Sequence, residues 1–109
     1  MKASMLILLA AFTSFGYAAD GSITDAEVNG LVVYEVSDDA TRVKLIVNNQ
    51  SRVGPNPDSP STDCELWTDN ASVYAAALTA KTTGNKVKIV YTARGDAPEF
   101  CSVRYLQLL

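Results

Sequence analysis

Two cysteines, Cys64 and Cys101, constrain this chain most, because the segment ahead of them sets the compartment in which they react. The chain opens "MKASMLILLAAFTSFGYAAD", with Lys2 as a positive start, Met5 to Phe12 as an apolar core and Gly16-Tyr17-Ala18 as a small-x-small cleavage site. This is the pattern of a bacterial-type secretory signal peptide over residues 1–18; the apolar run is too short to span a hydrocarbon core of ~30 Å. Cleavage leaves one domain, residues 19–109, secreted or periplasmic, in an oxidising compartment where two cysteines pair by default. Two free thiols or a bridge between chains are the alternatives. A Cys64–Cys101 bond stabilises by about 4 kcal/mol in the chain-entropy account, a large share of the total for a domain of ~90 residues.

Composition removes several function classes. Loss of Lys2 with the leader takes the formal net charge from −3 to −4, and the positive residues are scattered along the chain. Nucleic acid calls for a concentrated basic stripe, so it is not expected as a partner. There is no histidine, which removes Ser–His and Cys–His nucleophile pairs and histidine metal sites together. No catalytic residue, cofactor or metal is expected, and no membrane insertion, since no second apolar run follows the leader.

The coarse structure follows from periodicity. "ITDAEVNGLVVYEV", Ile23 to Val36, alternates as a strand, with Val32, Tyr34 and Val36 on one face and Leu31, Val33 and Glu35 on the other. Asn29-Gly30 inside it is either a hairpin turn or a bulge bending one long strand; the short polar run before it favours the bulge. After "SDDA", Val43, Leu45 and Val47 face inward on a second strand, antiparallel to the first. "NNQSRVGPNPDSPSTDC" reads as a long surface loop, and "CELW" as a short strand. Next comes a helix capped by Asp69 or Asn70 and stopped at Gly84, with Val73, Tyr74, Ala77 and Leu78 as its buried stripe and Lys81 at the rim. "NKVKIVYTA", with Val87, Ile89 and Tyr91 on one face, and "FCSVRYLQLL" give the last two strands. The fold expected is mostly β with one helix: a small OB-like antiparallel barrel or sheet capped by that helix.

The short motifs have plain readings. Arg94-Gly95-Asp96 is ordinary turn chemistry, and the sequon Asn70-Ala71-Ser72 overlaps the helix cap. Asp38-Asp39 and Asp58/Asp63 are solvated turn carboxylates, too few and too spread for calcium. Trp67 either packs on the disulfide or offers a stacking platform for a sugar ring. The outer side of the helix is unusual: Ser72, Ala75, Ala76, Thr79 and Thr82 carry no charge, where a helix lying in water normally has Glu and Lys. Small residues let another backbone approach, so a homo-oligomer is expected, a closed ring by preference.

In Asn70, Ser72 and Val73 near the helix start, in "TTGNKVKIVY" from Thr82 to Tyr91, and in "NGLVVYEV" from Asn29 to Val36, the chain resembles the B subunits of bacterial AB toxins of the subtilase-cytotoxin and pertussis-like kind. The resemblance covers about half of the mature chain. It implies an OB fold, a pentameric ring and binding of cell-surface glycans, with Asn29 standing where those subunits have a glycan-contacting serine. The expectation is a secreted, non-catalytic glycan-binding protein with Asn29, Tyr34 and Trp67 as ligand-binding residues. The alternative is a secreted or periplasmic inhibitor or accessory protein that binds another secreted protein through the proline-rich loop.

Overall fold

The computed structural model describes residues 20–37, 40–95 and 97–109; the leader, Asp38-Asp39 and Asp96 lie outside the described residues. The elements are β1 (Asp20–Ala26), β2 (Val28–Ser37), β3 (Ala40–Val47), β4 (Gly54–Asn56), β5 (Ser59–Thr68), α1 (Ala71–Thr83), β6 (Val87–Ala93) and β7 (Phe100–Leu108). Among the described residues the fold is thus mostly strand with a single helix packed against the sheet, as the sequence predicts. Hydrogen bonding orders the strands β1-β6-β7-β5-β3-β2, with β4 added to β5. The path does not close into a barrel. Its two end strands, β1 and β2, do not pair with one another, yet only Glu27 separates them in the chain.

The Asn29-Gly30 signal resolves as a bulge. The β2–β3 register shifts between Val28 and Gly30, and β1 pairs with β6 instead of folding back on β2. A turn after β3 holds this bend in place. Asn48 and Asn49 both take positive φ, 52° and 62°, a region that asparagine tolerates better than most residues. In that conformation the Glu27 amide donates to Asn48 Oδ1 at 3.0 Å, the Asn48 amide donates to the Glu27 carbonyl at 2.9 Å, and the Asn49 amide donates to Asn29 Oδ1.

Two expectations are corrected. The segment after Asn48 is not an unstructured loop up to Cys64, because β4 and the first half of β5 form a hairpin there. Its prolines do not prevent this. Pro55 lies on a strand paired on one side only, where no ladder partner asks for its missing N–H. Asn56, only 2% exposed, makes the turn: its Oδ1 accepts from the amides of Asp58 and Ser59 at 2.8 and 3.3 Å, and its Nδ2 donates to the Pro98 carbonyl at 2.8 Å. The sheet is also not antiparallel throughout. β5 and β7 run parallel, with Leu66 opposite Cys101, because α1 and β6 supply the crossover that a parallel pair requires.

The core gathers Val43, Leu45 and Val47 of β3, Leu66 of β5, and Val87, Ile89 and Tyr91 of β6, all on the faces that alternation assigns them. Cys64 and Cys101 are fully buried and bonded to one another, tying β5 to β7 with their Cα atoms 5.7 Å apart. Asn70 is the helix N-cap, accepting from the amides of Ser72 and Val73 at 2.8 and 3.0 Å, and Gly84 ends the helix at φ 77°. The buried stripe is rotated from the expected one. Ala77 and Ala80 face the core, while Leu78 is 44% exposed. Two alanines let the helix lie close to the sheet, and Leu78, one step around the helix from Ala77, is carried to the outer flank.

Tyr91 is the largest buried side chain, and the backbone makes room for it. A Cβ on Gly21 would lie 2.3 Å from its Cζ and one on Gly54 2.5 Å from its hydroxyl, so only glycine fits at both positions. The hydroxyl donates to the Pro55 carbonyl at 3.0 Å, joining β6 to β4. Burial first, and then the Asp63 carboxylate, push the Tyr91 pKa above its ordinary value of 10.0. Since the folded state holds this proton more tightly than the unfolded one, the contribution is complete below pH 10.0, where both forms are protonated. It is lost as pH rises through 10.0 and on to the folded pKa. Stability measured by urea unfolding should therefore fall from about pH 10 upward, and Tyr91→Phe should remove that part of the alkaline slope.

Candidate functional site

Along β5, Cys64, Leu66 and Thr68 are buried and the residues between them face the other way. Trp67 is therefore on the sheet face opposite the disulfide and does not pack on it. Its register partners are Lys44 on β3 and Ser102 on β7, and its indole Nε1–H donates to Glu65 Oε1 at 3.0 Å. This hydrogen bond satisfies the indole donor and holds the ring in place.

A row of aromatic rings forms around it. The Tyr34 ring, 45% exposed on β2, lies 5.2 Å from the Trp67 ring at 44°, reaching across the intervening β3. Phe100 at the start of β7 meets Trp67 edge-on, at 6.1 Å and 89°. The Arg94 guanidinium lies over the Phe100 ring at 5.6 Å. Each such pair contributes about 0.5–1.5 kcal/mol beyond the area it buries, so the row is held as a unit rather than as loose side chains.

Beside the row is a cleft of about 300 Å³, walled by Trp67, Thr68, Asp69 and Asn70 from the end of β5 and the helix start, by Arg94 after β6, by Ser102 and Arg104 of β7, and by Arg42 of β3. Arg104 also meets Asp20 of β1 at 3.2 Å. The cleft combines a planar apolar wall, guanidinium donors and a carboxylate acceptor. That combination suits a ligand with a ring face and several polar groups. Among the described residues no group of acidic, cysteine or histidine side chains is placed to hold a metal ion.

Of the three residues expected to bind ligand, the structure brings Tyr34 and Trp67 together. Asn29 is at the other end of β2, and its side chain is committed to the bend, donating to Glu27 Oε1 at 2.7 Å and accepting from the Asn49 amide. Sequence reading missed Arg42, Arg94, Arg104 and Phe100. Arg94 and Phe100 stand six residues apart in the chain, a separation that gives no hint of a stacked pair. The parallel β5–β7 pairing, invisible to periodicity, sets Phe100 opposite Glu65 and so beside Trp67. Asn29→Ala should lower stability by about 1–2 kcal/mol, by loss of the bend's hydrogen bonds. The Trp67 fluorescence of the folded protein should be unchanged, which urea unfolding followed by emission would read in one experiment.

Compared with known proteins, the chain matches no protein-family model, and a comparison with curated proteins likewise finds no match.

Proposed function

We propose that this is a secreted, non-catalytic binding protein whose ligand is a saccharide, stacked on the Trp67–Tyr34 platform. The observation that carries the reading is a pair of rings 5.2 Å apart, Tyr34 exposed and Trp67 half-buried, beside a polar cleft. A sugar ring presents an apolar C–H face and a rim of hydroxyls, and this site offers an aromatic wall with donors and acceptors around it. The place on the fold supports the same reading. With β1 and β2 counted as one bent strand, β3 and β5 are the second and third strands, whose outer face binds oligosaccharides or oligonucleotides in OB-type domains. The toxin B subunits that the sequence resembles are glycan binders of that fold. A glycan array probed with the mature protein should show binding, and Trp67→Ala should weaken it about tenfold or more with the circular dichroism unchanged. Loss of the fold in that variant would instead make Trp67 structural.

The reading includes a homo-oligomer, a ring by preference, built on the outer side of α1. Support comes from the threonine hydroxyls. Thr79 Oγ1 donates to the Ala75 carbonyl at 3.0 Å, Thr83 Oγ1 to the Thr79 carbonyl at 2.7 Å, and Thr82 Oγ1 to the Leu78 carbonyl. With the hydroxyls turned back to the helix, methyl groups join Ala75 and Leu78 on the exposed side. Light scattering at micromolar concentration should give a multiple of the monomer mass, and Ala75→Glu with Thr79→Glu should reduce it to the monomer without unfolding. A clean monomer mass for the unmodified protein removes the ring.

A second reading, an inhibitor or accessory protein that binds another secreted protein, is favoured by a groove of about 400 Å³ between β1 and β4, edged by Pro55, Pro57 and Pro60. An empty glycan array together with a protein partner that protects this groove from exchange would favour it over the first.

A further inference from the structure

The net charge of the chain is negative, yet three of its four arginines (Arg42, Arg94 and Arg104, but not Arg52) line the one cleft beside Trp67. No described lysine lines it. The choice of cation is informative, because a guanidinium is a planar fork that binds oxyanions through paired N–H groups, whereas an ammonium acts as a point charge. The three arginines come from three places in the sheet: β3, the segment after β6, and β7. Guanidinium groups brought in from separate strands suit an anion with acceptor oxygens in several directions. A sulfate or phosphate ester has three such oxygens, while a carboxylate has two in one plane, which a single guanidinium can serve.

The remaining wall fits the rest of such a ligand. Asp69 is the cleft's acidic side chain, and as a carboxylate it can only accept, which suits sugar hydroxyls and not the anion itself. Arg104 is held by Asp20 at 3.2 Å, with both side chains partly open to water. An exposed pair of this kind is worth at most ~1 kcal/mol, so it orients the guanidinium without preventing a shift to a stronger acceptor. Phe100 lies under Arg94 and offers its guanidinium a flat support.

We infer that the cleft is an oxyanion site: it takes a saccharide carrying a sulfate or phosphate ester, with the sugar ring on Trp67 and the ester oxygens on Arg42, Arg94 and Arg104. This rests on the saccharide reading above and narrows it to one ligand chemistry.

The test titrates the mature protein with lactose, lactose sulfate, lactose phosphate, a disaccharide ending in a uronic acid, and oligothymidine, following the indole and arginine Nε–H resonances. One or both esters should bind about tenfold or more tighter than lactose, with shifts at Trp67, Arg42 and Arg104. Whichever ester leads names the source of the oxyanion. Arg42→Lys, which keeps the charge and loses the fork, should bring the ester-to-lactose affinity ratio most of the way back to one. If this variant does not fold, inorganic sulfate against acetate on the unmodified protein carries the test, since sulfate alone should move the arginine resonances. Equal affinity for lactose and its esters overturns the oxyanion site and leaves the saccharide reading standing. No response to any sugar, here or on the array, overturns both. A uronate that matches the esters overturns the inference, as does oligothymidine binding tighter than any sugar, the latter in favour of nucleic acid.

Discussion

The seam between β5 and β7 is the constraint on which the rest depends. It is the one parallel pairing of the sheet, and parallel pairs are slightly weaker per residue than antiparallel ones. The Cys64–Cys101 bond crosses it on the buried side. On the outer side the same seam sets Glu65 opposite Phe100 and Trp67 opposite Ser102. A covalent tie below and a row of rings above therefore fix one geometry twice. Because side chains alternate along each strand, a slip of one residue would move Trp67 inward and Leu66 outward, and the site would be lost with the core.

The second constraint is the bend between β1 and β2. One stretch of chain serves both ends of the sheet path, so it must change direction within a few residues. The cost is met by a bulge at Asn29, positive φ at Asn48 and Asn49, and the hydrogen bonds that join them to Glu27. On the far side, glycines at 21 and 54 let Tyr91 fill the space that β1 and β4 leave between them. These are the places where the fold depends on particular residue types and not merely on apolar ones. None of them is at the candidate site, which leaves the outer face free to be specialised for a ligand.

Charge gains its meaning from this arrangement. Along the chain the arginines are scattered, Arg42 and Arg104 lying 62 positions apart, and look like ordinary surface cations. Folded, three of them share a wall with an indole and one carboxylate. A locally positive cleft on an acidic protein attracts anions at short range while the whole molecule weakly repels polyanions at long range. That balance suits a small charged ligand better than a long charged polymer.

The sequence by itself determined the strand faces, the helix ends and the disulfide. Alternation in β3 and β6 places Val43, Leu45, Val47, Val87, Ile89 and Tyr91 inside, and the structure agrees. Asn70, Gly84 and the Asn29 bulge are likewise where local backbone chemistry puts them. These are local rules, each written within a few residues. Only the tertiary structure decided the proline-bearing β4–β5 hairpin, the parallel β5–β7 seam, the outward turn of Leu78 and the gathering of the arginines. Each of these depends on a partner distant in sequence: the one-sided pairing of β4, the crossover through α1 and β6, the close approach of Ala77 and Ala80 to the sheet, and the β6-β7-β5-β3 strand order that sets three arginines around one cleft. Periodicity says which face of a segment is buried. It does not say which segment lies next to it, and that is what set Trp67 beside the cleft and Asn29 in the bend.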